Sequence, residues 1–79
     1  MKDTLAFLVK NLVDNKDAVK IEETADNDGL FFHVFVKKDD IGKVVGRNGK
    51  VAASIRTIIR AIGNHNHVRA SIKFDAIEE

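Results

Sequence analysis

The chain has 79 residues, 44% of them hydrophobic, with no cysteine and a formal charge of +1. That length allows one small core and no second, the absence of cysteine excludes a disulfide framework or a thiolate metal site, and no apolar run approaches the length of a membrane span. The expectation is one cytoplasmic domain over residues 1–79 with no leader, because Leu5 to Val13 is interrupted by Lys10 and Asn11 and lacks a small-residue cleavage site.

In chain order, Asp3 or Thr4 can cap a first helix running from about Thr4 to Asp14. Leu5, Leu8, Val9 and Leu12 share one helical face, Phe7 and Val13 widen it, and Asn15-Lys16-Asp17 ends it. Val19 and Ile21 alternate with Lys20 and Glu22 as a short strand. The turn residues Ala25 to Gly29 join it to the next strand as a hairpin. Leu30 to Val36 is the most apolar strand and the candidate sheet centre, with Phe32, Val34 and Val36 on one face and Phe31, His33 and Phe35 on the other. If helices cover only the first face, two phenylalanines stay near solvent, a hint of a protein contact. Asp40 is placed to cap a short helix from Ile41 that Gly46 ends. A longer helix follows from Lys50 to Ile62, with Val51, Ile55, Ile58, Ile59 and Ile62 on one face, and Gly63 to His67 breaks it. Val68, Ala70, Ile72 and Phe74 alternate as a last strand, and residues 75–79 read as a loose acidic tail. The order α-β-β-α-α-β predicts an α+β fold, a three-stranded mixed sheet backed by three helices, with the second and third strands parallel.

Charge is distributed unevenly along this order. The 34 residues from Ile41 to Phe74 hold seven bases and no acid, while the others hold all 12 acids and six bases, a net −6. Such a split predicts a basic face for an anionic partner. Catalysis finds no support: Ser54 and Ser71 lack a nucleophile-elbow context, and Asp39-Asp40 is explained by capping. A metal site is not expected, since His65 and His67 imply no third ligand and a calcium loop through Asp26, Asp28 and Gly29 would begin at Thr24 and end at Phe35, neither a carboxylate. Gly42, Gly46 and Gly49 do not fit the dinucleotide spacing, and Gly49-Lys50 lacks both the first glycine and the magnesium-binding hydroxyl of a phosphate loop. No cofactor is expected. What remains is Gly46-Arg47-Asn48-Gly49 leading into a helix whose first turn, Lys50-Val51-Ala52-Ala53, has no acid to complement its dipole. That arrangement suits an external anion such as a phosphate, and the glycines let a sugar-phosphate backbone approach closely.

The run Ile41-Gly42-Lys43-Val44-Val45-Gly46-Arg47-Asn48-Gly49, followed by Ile55 and Ile58, resembles the K-homology (KH) domain signature with its Gly-x-x-Gly loop. The helix-first order resembles the type II form, and the bare domain with Ser54-Ile55-Arg56-Thr57-Ile58 after the loop is similar to the small bacterial RNA-binding proteins of the KhpA family. The resemblance implies single-stranded RNA binding, as an RNA chaperone or regulator, with about four nucleotides clamped. Ile41, Gly42, Lys43, Val45, Gly46, Arg47, Asn48, Gly49 and Lys50 are then the RNA-binding residues, and the neighbouring strand's backbone reads base edges. Ala52 departs from the family, which more often has a larger aliphatic there, and this makes the groove floor shallower. Self-association, and pairing with a larger KH-containing protein of the Jag/KhpB type, are implied as well. The branched residues Ile58, Ile59 and Ile62 are the candidate homodimer surface. The competing reading is a protein-interaction subunit with a vestigial groove.

Overall fold

The structure, a computed structural model, describes residues 1–78; Glu79 lies outside the described residues. Helix α1 spans Lys2–Lys10, earlier and shorter than the sequence pattern implies. Neither Asp3 nor Thr4 caps it: Met1 is the cap residue, and its carbonyl accepts from the Leu5 N–H at 2.9 Å. Side chains satisfy carbonyls at and just beyond its end. Asn11 Nδ2 donates to the Phe7 carbonyl at 2.7 Å, and Lys16 Nζ donates to the carbonyls of Lys10 at 2.6 Å and Val13 at 3.0 Å. Val13, released from the helix, turns into the core and is buried.

Strand β1 (Lys20–Asp26) is longer than expected and pairs antiparallel with β2 (Gly29–Val36) across the turn Asn27-Asp28. The Asp28 N–H donates to Asp26 Oδ1 at 2.8 Å, the local bond that makes Asp a turn former. The central strand is β2, as its apolar character predicts, and β3 (Ala70–Ala76) runs parallel to it on the far side. Asp75 and Ala76 therefore belong to the sheet rather than to a loose tail, and the Ile77 N–H donates to the Val36 carbonyl at 2.8 Å. Helix α2 (Ile41–Val45) and helix α3 (Lys50–His65) form the connection between β2 and β3. Gly63 does not break α3. It is buried inside the helix, where an added Cβ would lie 2.6 Å from the Val68 carbonyl oxygen, so glycine lets the returning chain cross close by.

Phe32, Val34 and Val36 from β2 are fully buried against Leu5 and Val9 of α1, Val44 of α2, Ile55 and Ile59 of α3, and Ala70 and Ile72 of β3. Helices cover only this face. On the other, β2 presents Phe31, 39% exposed, then His33 and Phe35, with Lys20 and Glu22 of β1 and Ser71, Lys73 and Asp75 of β3 at their sides. His33 lies 4.1 Å from Phe35 and 6.2 Å from Phe31 between ring centroids, and its Nε2 is 2.6 Å from Asp75 Oδ2. Among the described residues no helix is long and apolar enough to cross a membrane.

Candidate nucleic-acid interface

Four residues separate the short helix from the long one, and they bend the chain by positive φ at three of them: Gly46 (+75°), Asn48 (+56°) and Gly49 (+74°). Asn is among the few residues other than glycine that tolerate this region. Gly46 is required twice over, since a Cβ would also sit 2.4 Å from Val51 Cγ2 and 2.9 Å from the Val51 nitrogen. At Gly49 a Cβ would meet nothing within 4 Å, so only the backbone angle asks for glycine. Gly42 has neither reason: its φ is ordinary and a Cβ would enter open space on the exposed side of α2. A helix loses about 0.5–1 kcal/mol by having glycine in place of alanine. The fold draws no packing benefit from this glycine in return.

Helix α3 begins directly on this turn, with no side chain capping its N-terminus and no acid in its first turn. The positive end of a helix of 16 residues is thereby left facing outward. Arg47 and Lys50 are exposed beside it, and among the described residues neither is within ion-pair distance of an acid. Lys43 differs from this pair. Its ammonium contacts Asp14 and lies 3.3 Å from Asp40 Oδ1, and Asp14 followed by Asp40 pushes its pKa above the ordinary lysine value. The cation expected for phosphates is already engaged.

Asp40 also departs from its expected part. It stands at the N-cap position of α2 but makes no side-chain cap bond there. Its carboxylate is buried and points back to the segment after α1. There Oδ2 accepts the Asn15 N–H and Asn15 Nδ2, each at 3.0 Å, and Oδ1 accepts the Asp14 N–H at 3.3 Å. Burial pushes the carboxyl up, but the Asn15 and Asp14 donors and the Lys43 ammonium outweigh it and hold the pKa at about 2, against 3.8 ordinarily. The start of α2 is thus fixed to a loop far away in sequence.

Ile41, Val45 and Val51 are half-buried around the turn, and Ala52 is buried. Beyond them lies the free edge of β3. The Arg69 carbonyl and the Ile77 N–H both bond to β2, so the odd-numbered residues face inward and Ala70, Ile72 and Phe74 turn their backbone groups to the open edge. Arg56 reaches this edge from α3. Its Nε donates to the Ile72 carbonyl at 3.4 Å and its guanidinium lies 5.7 Å from the Phe74 ring centroid. The sequence analysis assigns Arg56 no part in the site; its position between the turn and an alternating strand was the available signal. Farther along α3, Ile58 is 42% exposed and Ile62 half-buried, but Ile59 is fully buried in the core. Ile59 is therefore not a surface residue, and a charge placed there tests folding rather than association. Among the described residues no cluster of three or more His, Asp or Glu is arranged to hold a metal ion.

Comparison with known proteins agrees with this geometry. The family model described as KhpA/KhpB, KH domain, matches residues 2–74. The chain is 37% identical over 73 residues to the RNA-binding protein KhpA of Chlamydia pneumoniae, covering 92% of this chain and 94% of that one. It is 43% identical over 63 residues to the RNA-binding protein KhpA of Streptomyces coelicolor, covering 80% of each. A further relative, the RNA-binding protein KhpA of Mycobacterium bovis, is 39% identical over 61 residues, 77% of this chain and 76% of its own. A sheet backed by helices, a Gly46–Gly49 turn onto an uncapped helix, and a match over nearly the whole chain lead to one conclusion: the protein belongs to the KhpA/KhpB family of KH domains.

Proposed function

We propose that this chain binds single-stranded RNA without catalysis, as a cytoplasmic RNA chaperone or post-transcriptional regulator. The observation that carries the reading is the turn itself: a helix N-terminus with no capping side chain and no acid in its first turn, flanked by Arg47 and Lys50, which among the described residues have no acidic partner. The related proteins named for RNA binding support it. About four nucleotides pass over the turn. The amides of Gly46 to Gly49 and the α3 N-terminus receive the phosphates, and Gly42 gives the strand room against α2. Ile41, Val45 and Val51 supply apolar contact for the bases, and the outward backbone groups of Ile72 and Phe74 meet base edges.

With Lys43 engaged by carboxylates, Arg47 and Lys50 are the cations left for phosphates. Two neutralised phosphates predict a log–log salt slope of about −1.4 for single-stranded RNA. The test is the double substitution Arg47→Asp with Asn48→Asp, both residues being exposed. Retention of a short single-stranded RNA should disappear while the circular dichroism melt stays unchanged. Undiminished RNA binding by the double variant would refute the site.

A single weak groove gains from being doubled, because the second contact becomes intramolecular. The exposed Ile58 and half-buried Ile62 of α3 support a homodimer through this helix, or pairing with a larger KH-containing partner. Ile58→Asp should then halve the mass measured by light scattering without lowering the melting temperature, and an unchanged mass removes Ile58 from the interface.

A further inference from the structure

A second cluster of unpaired positive charge lies farther along the α3–β3 seam. Arg60 follows Arg56 by one helical turn on the same flank of α3, and it lines a cavity of about 290 Å³ together with Asn64, Arg69, Ala70 and Ser71. Arg60 and Arg69 are exposed, and among the described residues neither has an acid within ion-pair distance. They come from different elements, α3 and the segment entering β3, so the fold rather than local sequence brings them together. Two arginines and Asn64, all of them hydrogen-bond donors, line this cavity with no aromatic ring among the lining residues. That chemistry fits a phosphodiester rather than a base, since guanidinium forks match phosphate oxygens.

The position relative to the turn gives the cluster its meaning. Lys50 and Arg60 are ten positions apart on one helix, which places them about 15 Å apart along its axis. Between them the seam presents Arg56 and the free edge of β3. We propose that Arg60 and Arg69 form a second phosphate site, receiving an RNA strand that has left the Gly46–Gly49 turn and followed the β3 edge. The footprint is then longer than the turn alone can hold. This rests on the RNA-binding reading above and adds a site to it. Arg60 is the stronger half, because Arg69 also faces Asp26 and Asp28 of the β1–β2 turn across neighbouring cavities.

The experiment compares two fluorescein-labelled, mixed-sequence RNA pools, one of about four nucleotides, the length a KH turn clamps, and one about twice as long. Binding is measured by anisotropy over a salt series for the wild type and for Arg60→Gln with Arg69→Gln. The wild type should bind the longer pool more tightly and with a slope steeper by about 1.4, the value for two further phosphates. The double variant should keep the wild-type affinity for the short pool but lose both the gain and the extra slope on the long one. Arg60→Gln alone should remove more of the gain than Arg69→Gln alone. A double variant that retains the full gain overturns the proposal, and so does one that loses affinity with an unchanged salt slope. Failure of the RNA-binding reading shows on a different variant, the Arg47→Asp and Asn48→Asp pair, so the two outcomes stay distinct.

Discussion

Asp40 and the Gly46–Gly49 turn sit at opposite ends of one five-residue helix, and the fold treats them in opposite ways. At Asp40 a buried carboxylate takes hydrogen bonds from Asn15, Asp14 and Lys43, and no buried side-chain polar atom among the described residues is left without a partner. At the turn, the α3 N-terminus has no side-chain cap, and among the described residues Arg47 and Lys50 have no acid within ion-pair distance. The difference separates holding from binding. The fully satisfied end anchors α2 to the α1–β1 connection, and the incompletely satisfied end is the one proposed above to receive an anion. A turn with its own internal partners would be more stable and would have less to offer a phosphate.

The sharpest way to break the comparison is at its anchored end. Asp40→Asn should lower the melting temperature more than any other single change considered for this region, because it removes the charge that several donors converge on. The same group predicts an acid limb. Its folded pKa of about 2 lies below the ordinary 3.8, so its contribution is complete above about pH 4 and is lost as pH falls through about 2. Wild-type stability measured by urea titration should therefore decline over that window, and the decline should be shallower in Asp40→Asn. An identical acid limb in both proteins would remove Asp40 from the anchoring.

Next comes Gly46, where a Cβ must displace Val51 and strain the backbone together. Gly46→Ala should cost about 2–4 kcal/mol in chemical denaturation, combining overpacking with a left-handed φ. A cost below about 1 kcal/mol would mean the turn relaxes easily and is not rigidly presented. The smallest effect is expected at Gly42, and it should go in the opposite direction. Gly42→Ala should raise stability by about 0.5–1 kcal/mol, since helix propensity improves and nothing is hit. RNA affinity should fall in the same variant. Gain of stability with loss of binding would separate holding from binding, whereas unchanged binding would show that no strand comes close to α2.

The order of elements and the choice of β2 as sheet centre were legible because both depend on periodicity within short windows. Phe32, Val34 and Val36 alternate, and every one is buried. The geometry of the candidate site was legible where it is local, as in the positive φ of the two glycines and the acid-free start of α3. It was not legible where partners lie far apart in sequence. Asp40 has the right residue type and position for a cap, yet its backbone donors, Asn15 and Asp14, are 25 and 26 residues away. Lys43 looked available because Asp14 is 29 residues distant. Gly63 read as a helix stop because glycine usually is one, and only the return of Val68 across the helix explains a glycine inside it. Ile59 could not be told from Ile58 by spacing alone, since adjacent positions on an apolar stripe differ only in how far they turn toward the sheet.

The open edge of β3 has a consequence for the protein when no RNA is present. An unpaired strand edge is a template on which a foreign strand can grow, and proteins usually blunt such edges with charge. The other edge, β1, carries Glu22, Glu23 and Asp26. On β3 the middle of the edge is occupied by Arg56, which takes the Ile72 carbonyl and sets a bulky cation over Phe74. Arg56 thus blunts the middle of this edge with charge, and on the RNA path proposed above an incoming nucleotide would have to displace it.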